Sequence, residues 1–422
     1  MADRYTKGCM QVLSVSTCRP DGAKNNVLLL CATTMPLLWS WTARSGATGL
    51  LRSGAFFGWL SLVSSLSAAT LSNPRRVDTG FEFSIVGASN AIYAIEASSN
   101  LQNWTLLATN RHFGEVRLIS TPASPQQEFY RVRALQPLFT GALAVRESVE
   151  FAGSGVIVNS FDSRDASFFR PDGTLDPNRF RDYGDIITIS TQTNTLIIGN
   201  GKVYGQLLAP VDGGAVLGPN GCVGSILWHL NGGRGIQDGW FAEGTAHVVD
   251  AELPQGHAYV TPEPGSIDGT NYTYVLSNGD YTLPELRMGS SNQVMLITGH
   301  ATLYVAGSFT LGSAAKIVIV RNASLNVFVG GATATISLYG VVNERRNAAA
   351  FAYYGLPNNT NIFVAGDFFA GTIYAPGADV LVTGGGYDFL EINGAVVGRN
   401  IRVNGRAIMR YDEALGVAGP AW

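Results

Sequence analysis

Four aspartates crowd one stretch of the chain: Asp162, Asp165, Asp182 and Asp185. Paired carboxylates about 5–10 Å apart are the working parts of glycosidases, one as acid and one as base or nucleophile. The same residues have a plainer use. Asp162, in Phe161-Asp162-Ser163, can accept hydrogen bonds from turn N–H groups. Oxygen ligands in this region, with Asp172 and Asp176 beside them, also raise calcium. No Gly-Gly-x-Gly-x-Asp array is present, so a calcium-binding roll built from nonapeptides is excluded. The five histidines show no H-x-x-x-H pair, and Cys222 is the one cysteine beyond residue 31, so no zinc spacing exists. No G-x-S-x-G, phosphate loop or dinucleotide fingerprint occurs. The sequence thus supplies no complete catalytic constellation.

The elements that must hold these residues are strands. From about residue 141 to 415 short apolar runs are punctuated by glycine. Leu325-Asn326-Val327-Phe328-Val329-Gly330 is one run. Asn361-Ile362-Phe363-Val364-Ala365-Gly366, Asp379-Val380-Leu381-Val382-Thr383-Gly384 and Asn400-Ile401-Arg402-Val403-Asn404-Gly405 are others. Gly205–Pro210 echoes Gly371–Pro376. Strand-length runs broken by turns, with no helical stretch between, predict a chain that stacks on itself as a parallel β-helix. Ile317, Ile319, Val327, Val329, Ile362, Val364, Val380, Val382, Ile401 and Val403 should point into its interior. Residues 227–290 break the rhythm, with Trp228, Trp240 and Pro262-Glu263-Pro264-Gly265, and read as a lateral insertion.

Composition agrees. Glycine is 50 of 422 residues and charged residues are 14%, against about 25% in an average soluble protein. A hydrophobic share of 46% rules out a disordered chain. The net charge is −3, and no Lys/Arg cluster offers a footprint for nucleic acid.

The amino-terminal region reads as an address. In residues 50–69 Arg52 precedes the apolar run Ala55–Val63, and Ser67-Ala68-Ala69 is a small-x-small cleavage site. The run is too short for a membrane span of about 20 residues. Residues 1–69 are therefore expected to be leader and signal peptide, and the mature chain extracellular or at the cell surface. The segment 416–422 reads as a tail without a hydrophobic anchor.

Residues 76–135 alternate as about five short strands, which predicts a small β-sandwich. Tyr93-Ala94-Ile95-Glu96-Ala97-Ser98-Ser99-Asn100-Leu101-Gln102-Asn103-Trp104, with the closing Phe129-Tyr130-Arg131-Val132, resembles a fibronectin type III-like module. The resemblance implies a spacer or a carbohydrate-facing accessory role. Trp104 would then be either a core residue or a sugar-stacking platform.

The large domain carries a second resemblance. It opens with Val156-Ile157-Val158-Asn159-Ser160-Phe161-Asp162-Ser163 and closes with Tyr411-Asp412-Glu413-Ala414-Leu415. It looks like an uncharacterised β-helical domain of bacterial surface and pilus-associated proteins, with Arg410 where that family has histidine. The resemblance implies no enzymatic activity. A β-helix leaves its last coil as an open edge. The closing motif is expected to cap that edge, with Tyr411 and Leu415 packed down and Asp412 and Glu413 in water.

The expectation is a secreted, all-β, non-enzymatic structural or adhesive protein: a small β-sandwich followed by a parallel β-helix with a lateral insertion. Its partners would be extracellular polysaccharide or envelope and pilus components. The alternative is a polysaccharide-active β-helix enzyme, lyase or hydrolase, working through the aspartates.

Overall fold

The computed structural model describes residues 12–18, 24–30, 70–77, 80–86, 92–99, 101–111, 116–119, 129–135, 137–153, 155–210, 214–344, 346–384 and 389–417. The expected signal segment, residues 50–69, lies outside the described residues, as does most of the tail. The chain divides into two compact units, residues 1–135 and 136–422. Among the described residues no helix is long and apolar enough to cross a membrane.

The first unit is all β. One sheet has the spatial order Val12–Cys18, Lys24–Leu30, Phe129–Leu135, Ile92–Ser98, Thr105–Arg111. A second holds Thr70–Val77, Gly80–Val86 and Val116–Ile119. Tyr93, Ile95, Tyr130 and Val132 are buried, as the alternation of these runs requires. Two of the strands come from the stretch assigned to the leader. The apolar residues Leu28, Leu29 and Leu30 pair in parallel with Phe129, Tyr130 and Arg131.

The second unit is the parallel β-helix that the glycine-punctuated rungs predict. One full turn comprises Lys316–Ile319, Ser324–Val329 and Thr333–Ser337. The next comprises Val341–Asn343, Phe351–Gly355 and Asn361–Gly366. Like strands stack in parallel, so the wall has three faces. Alternate residues point inward, and all ten residues expected in the interior are buried. Aromatic rings pack on both sides of the wall: inside, Phe351 meets Phe369 edge-on at 5.5 Å, and in the outward row that ends at Tyr374, Phe328 lies on Tyr354 at 4.8 Å. Rungs approach tightly enough that side chains are excluded at points. Gly394 has φ +155°, and a Cβ there would run into the Gly371 carbonyl oxygen.

Order along the stack differs from order along the chain. The first strand of the unit, Leu143–Phe151, pairs on one side with Leu390–Asn404, the next-to-last strand. On its other side lie Ile186–Thr188 and Leu196–Gly199. Gly155–Phe161 is likewise held between Arg406–Asp412 and Lys202–Val203. The first turn is thus docked on the last, and both are inside the stack. From the first turn the chain winds outward to Phe241–Glu243. Residues 244–264 carry it back along the wall, and the remainder winds in from Tyr274–Leu276. The returning segment is tied down. The Val249 carbonyl accepts from Tyr374 Oη at 2.8 Å, and Arg146 pairs with Asp250 at 2.8 Å. Farther on, His257 faces Asp280 at 2.8 Å. Within residues 227–290 the chain therefore completes an outer turn, crosses back, and starts new rungs at Gly279–Leu283 and Leu286–Met288.

This topology corrects the expected carboxy-terminal cap. Tyr411 and Leu415 are buried, but Arg406–Asp412 is an internal rung, paired on both edges. Asp412 is fully buried and Glu413 half-buried, so neither stands free in water. The physical reason is that the final turn docks against the first and leaves no open edge at that point to cover.

Candidate functional site

The second face of the β-helix presents two rows of outward side chains across five strands. Strand register places Thr333, Asn361, Asp379, Asn400 and Ser148 in one row. Thr335, Phe363, Leu381, Arg402 and Glu150 form the next. The alternation that drives Ile362, Val364, Val380, Val382, Ile401 and Val403 inward forces these neighbours out. Together they line an open groove of ≈ 730 Å³.

The groove's polar groups are held by one another. Asn400 is the hub. Its Oδ1 accepts from Ser148 Oγ at 2.7 Å and from the Ser148 N–H at 3.1 Å. Its Nδ2 donates to Asp379 Oδ1 at 2.8 Å and to Glu147 Oε2 at 3.0 Å. Arg399 forks onto both oxygens of Asp379. That fork holds the Asp379 carboxyl below its ordinary value. Arg402 faces Glu150 at 3.3 Å and donates to Asn404 Oδ1 at 3.2 Å. Phe363 is 40% exposed and offers the groove an apolar surface.

The four aspartates singled out in the sequence do not converge. Asp162 receives both a backbone N–H and the guanidinium of Arg164. Asp165 caps the short helical turn Ala166–Phe168 and lies 3.5 Å from Arg181. Asp182 instead accepts from the Ile226 N–H, and buried Asp185 from the Gln206 N–H at 2.9 Å. Asp172 and Asp176 close local turns onto Thr174 and Asn178. Among the described residues no three of His, Cys, Asp and Glu come together to hold a metal ion.

The neighbours of Asp162 and Asp165 reach the closing motif. Arg181 lies 3.0 Å from Glu413 Oε2, Ser160 Oγ donates to Glu413 Oε1 at 2.9 Å, and the Ser163 N–H reaches Asp412 Oδ1 at 3.1 Å. Burial raises Asp162, but the fork, backbone N–H and charge of Arg164 together with the charge of Arg181 outweigh it, and the carboxyl sits below its ordinary value. Burial raises Asp412 and Glu413 in spite of their hydrogen bonds. Oδ2 of Asp412 is buried without a hydrogen-bond partner among the described residues.

Trp104 is half-buried rather than core. Its Nε1 donates to the Leu101 carbonyl at 3.2 Å, and the Arg131 guanidinium lies 4.1 Å from the ring centre. Arg131 is itself paired with Glu96. One ring face is therefore covered from within the chain.

The groove was not picked out from the sequence, although a signal for it exists. Asn361, Asp379 and Asn400 each open a rung of the form polar-apolar-x-apolar. Aligning these rungs places all three on one outward row. Ser148 and Glu150 could not have been added, because they lie about 250 positions from their partners.

A sequence-family profile described as a domain of unknown function (DUF7305) matches residues 236–417. The match runs from the outermost turn to the closing motif and leaves out the first turns of the unit. A solved DUF3494 domain of an ice-binding protein from Shewanella frigidimarina aligns with 10% identity and a TM-score of 0.24, covering 64% of this chain and 94% of that one. At that TM-score the likeness defines neither the ligand nor the fold of this chain. No curated relative matches the chain.

Proposed function

We propose that this chain is an exported, non-enzymatic surface protein that attaches to an extracellular or envelope polymer through the second face of its β-helix. One observation carries the reading. The open groove sits on five rigid strands, and its polar side chains are already oriented by their neighbours. A preorganised, solvent-open face suits binding, because little ordering remains to be done when a partner arrives. It suits acid–base catalysis less well. A general acid needs a raised pKa, and Arg399 drives Asp379 the other way.

Export rests on the signal features of residues 50–69, and the fibronectin-like pattern of residues 76–135 fits a spacer between an anchorage and the binding face. A place in a pilus or envelope assembly would follow from the closing-motif resemblance alone. The test is fractionation of the source cells with surface proteolysis, followed by co-sedimentation of the full secreted chain with isolated envelope polymer. Attachment without release of sugar ends supports the reading. Retention inside the cell would overturn it.

The enzyme alternative has one observation in its favour: Asp162 is held ionised close to the raised carboxyls of Asp412 and Glu413. Groups whose environments push their titrations apart are how acid and base roles are divided. Here, however, Asp162 and Glu413 are each engaged by an arginine. New reducing ends or unsaturated products that vanish in both Asp162→Asn and Glu413→Gln would favour this alternative.

A further inference from the structure

We propose that the groove around Phe363, Asn361, Asp379 and Asn400 binds a neutral, extended glycan lying across the strands. The inference rests on the attachment reading above and names the class of polymer.

Charge decides first. Arg399 is spent on Asp379 and Arg402 faces Glu150, so each cation of the groove already has its anion. An anionic polysaccharide needs uncompensated cations to replace its counterions, and breaking these pairs would leave carboxylates facing it. A neutral polyhydroxylated chain has no such conflict. It can use the positions that these contacts leave over on Asn361, Asp379 and Ser148, while Asn400, whose two N–H donors and two lone pairs are all engaged, holds its neighbours in place.

The arrangement fits a sugar chain's two surfaces. Asn361, Asp379, Asn400 and Ser148 follow one another at the inter-strand spacing of about 4.8 Å, in a straight row. Hydroxyls along a glycan would meet an open polar position on three of these four strands, those of Asn361, Asp379 and Ser148. One position over, the exposed ring of Phe363 and the half-exposed Leu381 offer an apolar strip for the C–H face of a sugar ring. A polar row beside an aromatic platform is the composition of a small-molecule site with few fixed polar groups and an apolar floor. The row is also not a run of like hydroxyls: amide, carboxylate, amide and serine follow in turn, which favours a ligand of mixed donors and acceptors.

The experiment is isothermal titration of the full secreted chain with neutral hexasaccharides of the β-glucan, mannan and chitin types, and with a hexagalacturonate as the anionic probe. Each is measured at low and high salt. The expected result is binding of at least one neutral hexasaccharide that salt leaves unchanged. It should weaken about tenfold or more in Phe363→Ala, be restored in Phe363→Tyr, and fall again in Asn361→Ala. Melting curves of these exposed-site variants should match the parent. Salt-sensitive binding of the hexagalacturonate in place of the neutral probes, or binding indifferent to Phe363→Ala, overturns the inference. Failure of all four probes also overturns it. If the Phe363→Ala chain then still sediments with envelope polymer, the attachment reading survives; if the parent chain also fails to sediment, both fall.

Discussion

Ser148 and Asn400 are 252 positions apart in the chain and are joined twice in the structure, through the Ser148 hydroxyl at 2.7 Å and its backbone N–H at 3.1 Å. This contact marks the seam of the β-helix, where the first strand of the unit is laid against the next-to-last. It also puts the seam inside the candidate binding face, between its fourth and fifth strands. Closing the fold and completing the groove are therefore the same event. Three of the five strands carrying the groove belong to the returning arm, and a fourth spans the last turn. The fifth waits from the beginning of the domain for its partner.

The inward–outward assignment of the face gives the first prediction. Val364 is fully buried and Phe363, its neighbour, is 40% exposed. Val364→Asp should cost several kcal/mol, because an unpaired charge would be placed in the interior. Phe363→Asp should change stability by less than about 1 kcal/mol, as surface substitutions commonly do. Urea titrations of both variants test this. Equal losses would mean that the alternation has been assigned to the wrong face.

The rungs were legible in the sequence because parallel-helix strands carry their alternation locally. Ile362 and Val364, Val380 and Val382, Ile401 and Val403 announce their own burial. The seam was not legible. Parallel pairing has no hairpin turn to set its register, so nothing near Leu143–Phe151 records that Leu390–Asn404 is its partner. The same gap misled the reading of the closing motif. A charged segment at the end of a solenoid looks like a cap if the last turn is assumed to be the end of the stack. Where the aspartates lie was not legible for a different reason. Asp-x-x-Asp spacing does not reveal which residue ends a strand and which turns inward. In the structure Asp182 and Asp185 face different neighbours.

The seam makes the second prediction. Tyr411 Oη donates to the Phe139 carbonyl at 2.8 Å, and buried Arg410 reaches Glu391 and Asn159 at 3.2 Å each. Tyr411→Phe should lose about 1 kcal/mol, the usual net value of one hydrogen bond. Arg410→Ala should lose more, since it leaves Glu391 and Asn159 without their cation. Deleting residues 406–417 should unfold the first turn as well as the last. Circular dichroism and limited proteolysis after residue 143 would show it. A deleted chain as stable as the parent would contradict the internal placement of this rung.

The closing motif predicts a pH dependence. Burial raises Asp412 above its ordinary value of 3.8, against the pull of Ser163 and Ala414. A carboxyl raised by folding binds more protons in the folded state than in the unfolded one. Its contribution to stability is thus greatest at low pH and is lost as pH rises from about the ordinary carboxylate value through the raised one. Asp162, lowered in the folded state, works in the opposite direction and loses its contribution as pH falls. In Asp412→Asn the downward slope with rising pH should become shallower, and stability at pH 7 relative to pH 4 should improve. Chemical denaturation at both pH values decides this. An unchanged slope would place Asp412 in contact with solvent.

The last prediction concerns the segment that crosses back along the wall. Residues 244–264 carry the chain from the outermost turn of one arm to the first rungs of the other. Little regular structure holds them. Tyr374 does much of the anchoring: its hydroxyl donates to the Val249 carbonyl at 2.8 Å and accepts from the Val249 N–H at 3.1 Å. Burial pushes the phenol up to about 12, against the pull of the Val249 hydrogen bond and of Arg146, so it remains a donor throughout the physiological range. Arg146 adds a second tether through Asp250 and the Val248 carbonyl. Tyr374→Phe keeps the ring, and with it the edge-on contact with Phe139 at 5.8 Å, but removes both hydrogen bonds. It should cost about 1–2 kcal/mol and leave a backbone N–H and carbonyl of Val249 in need of water. The local effect should exceed the global one. Protease cleavage within residues 244–264 should accelerate in Tyr374→Phe and further in the double variant with Arg146→Ala, while the rungs stay protected from hydrogen exchange. If cleavage is unchanged, the segment is held by its apolar contacts, Ala251 among them, and the tyrosine is not its anchor.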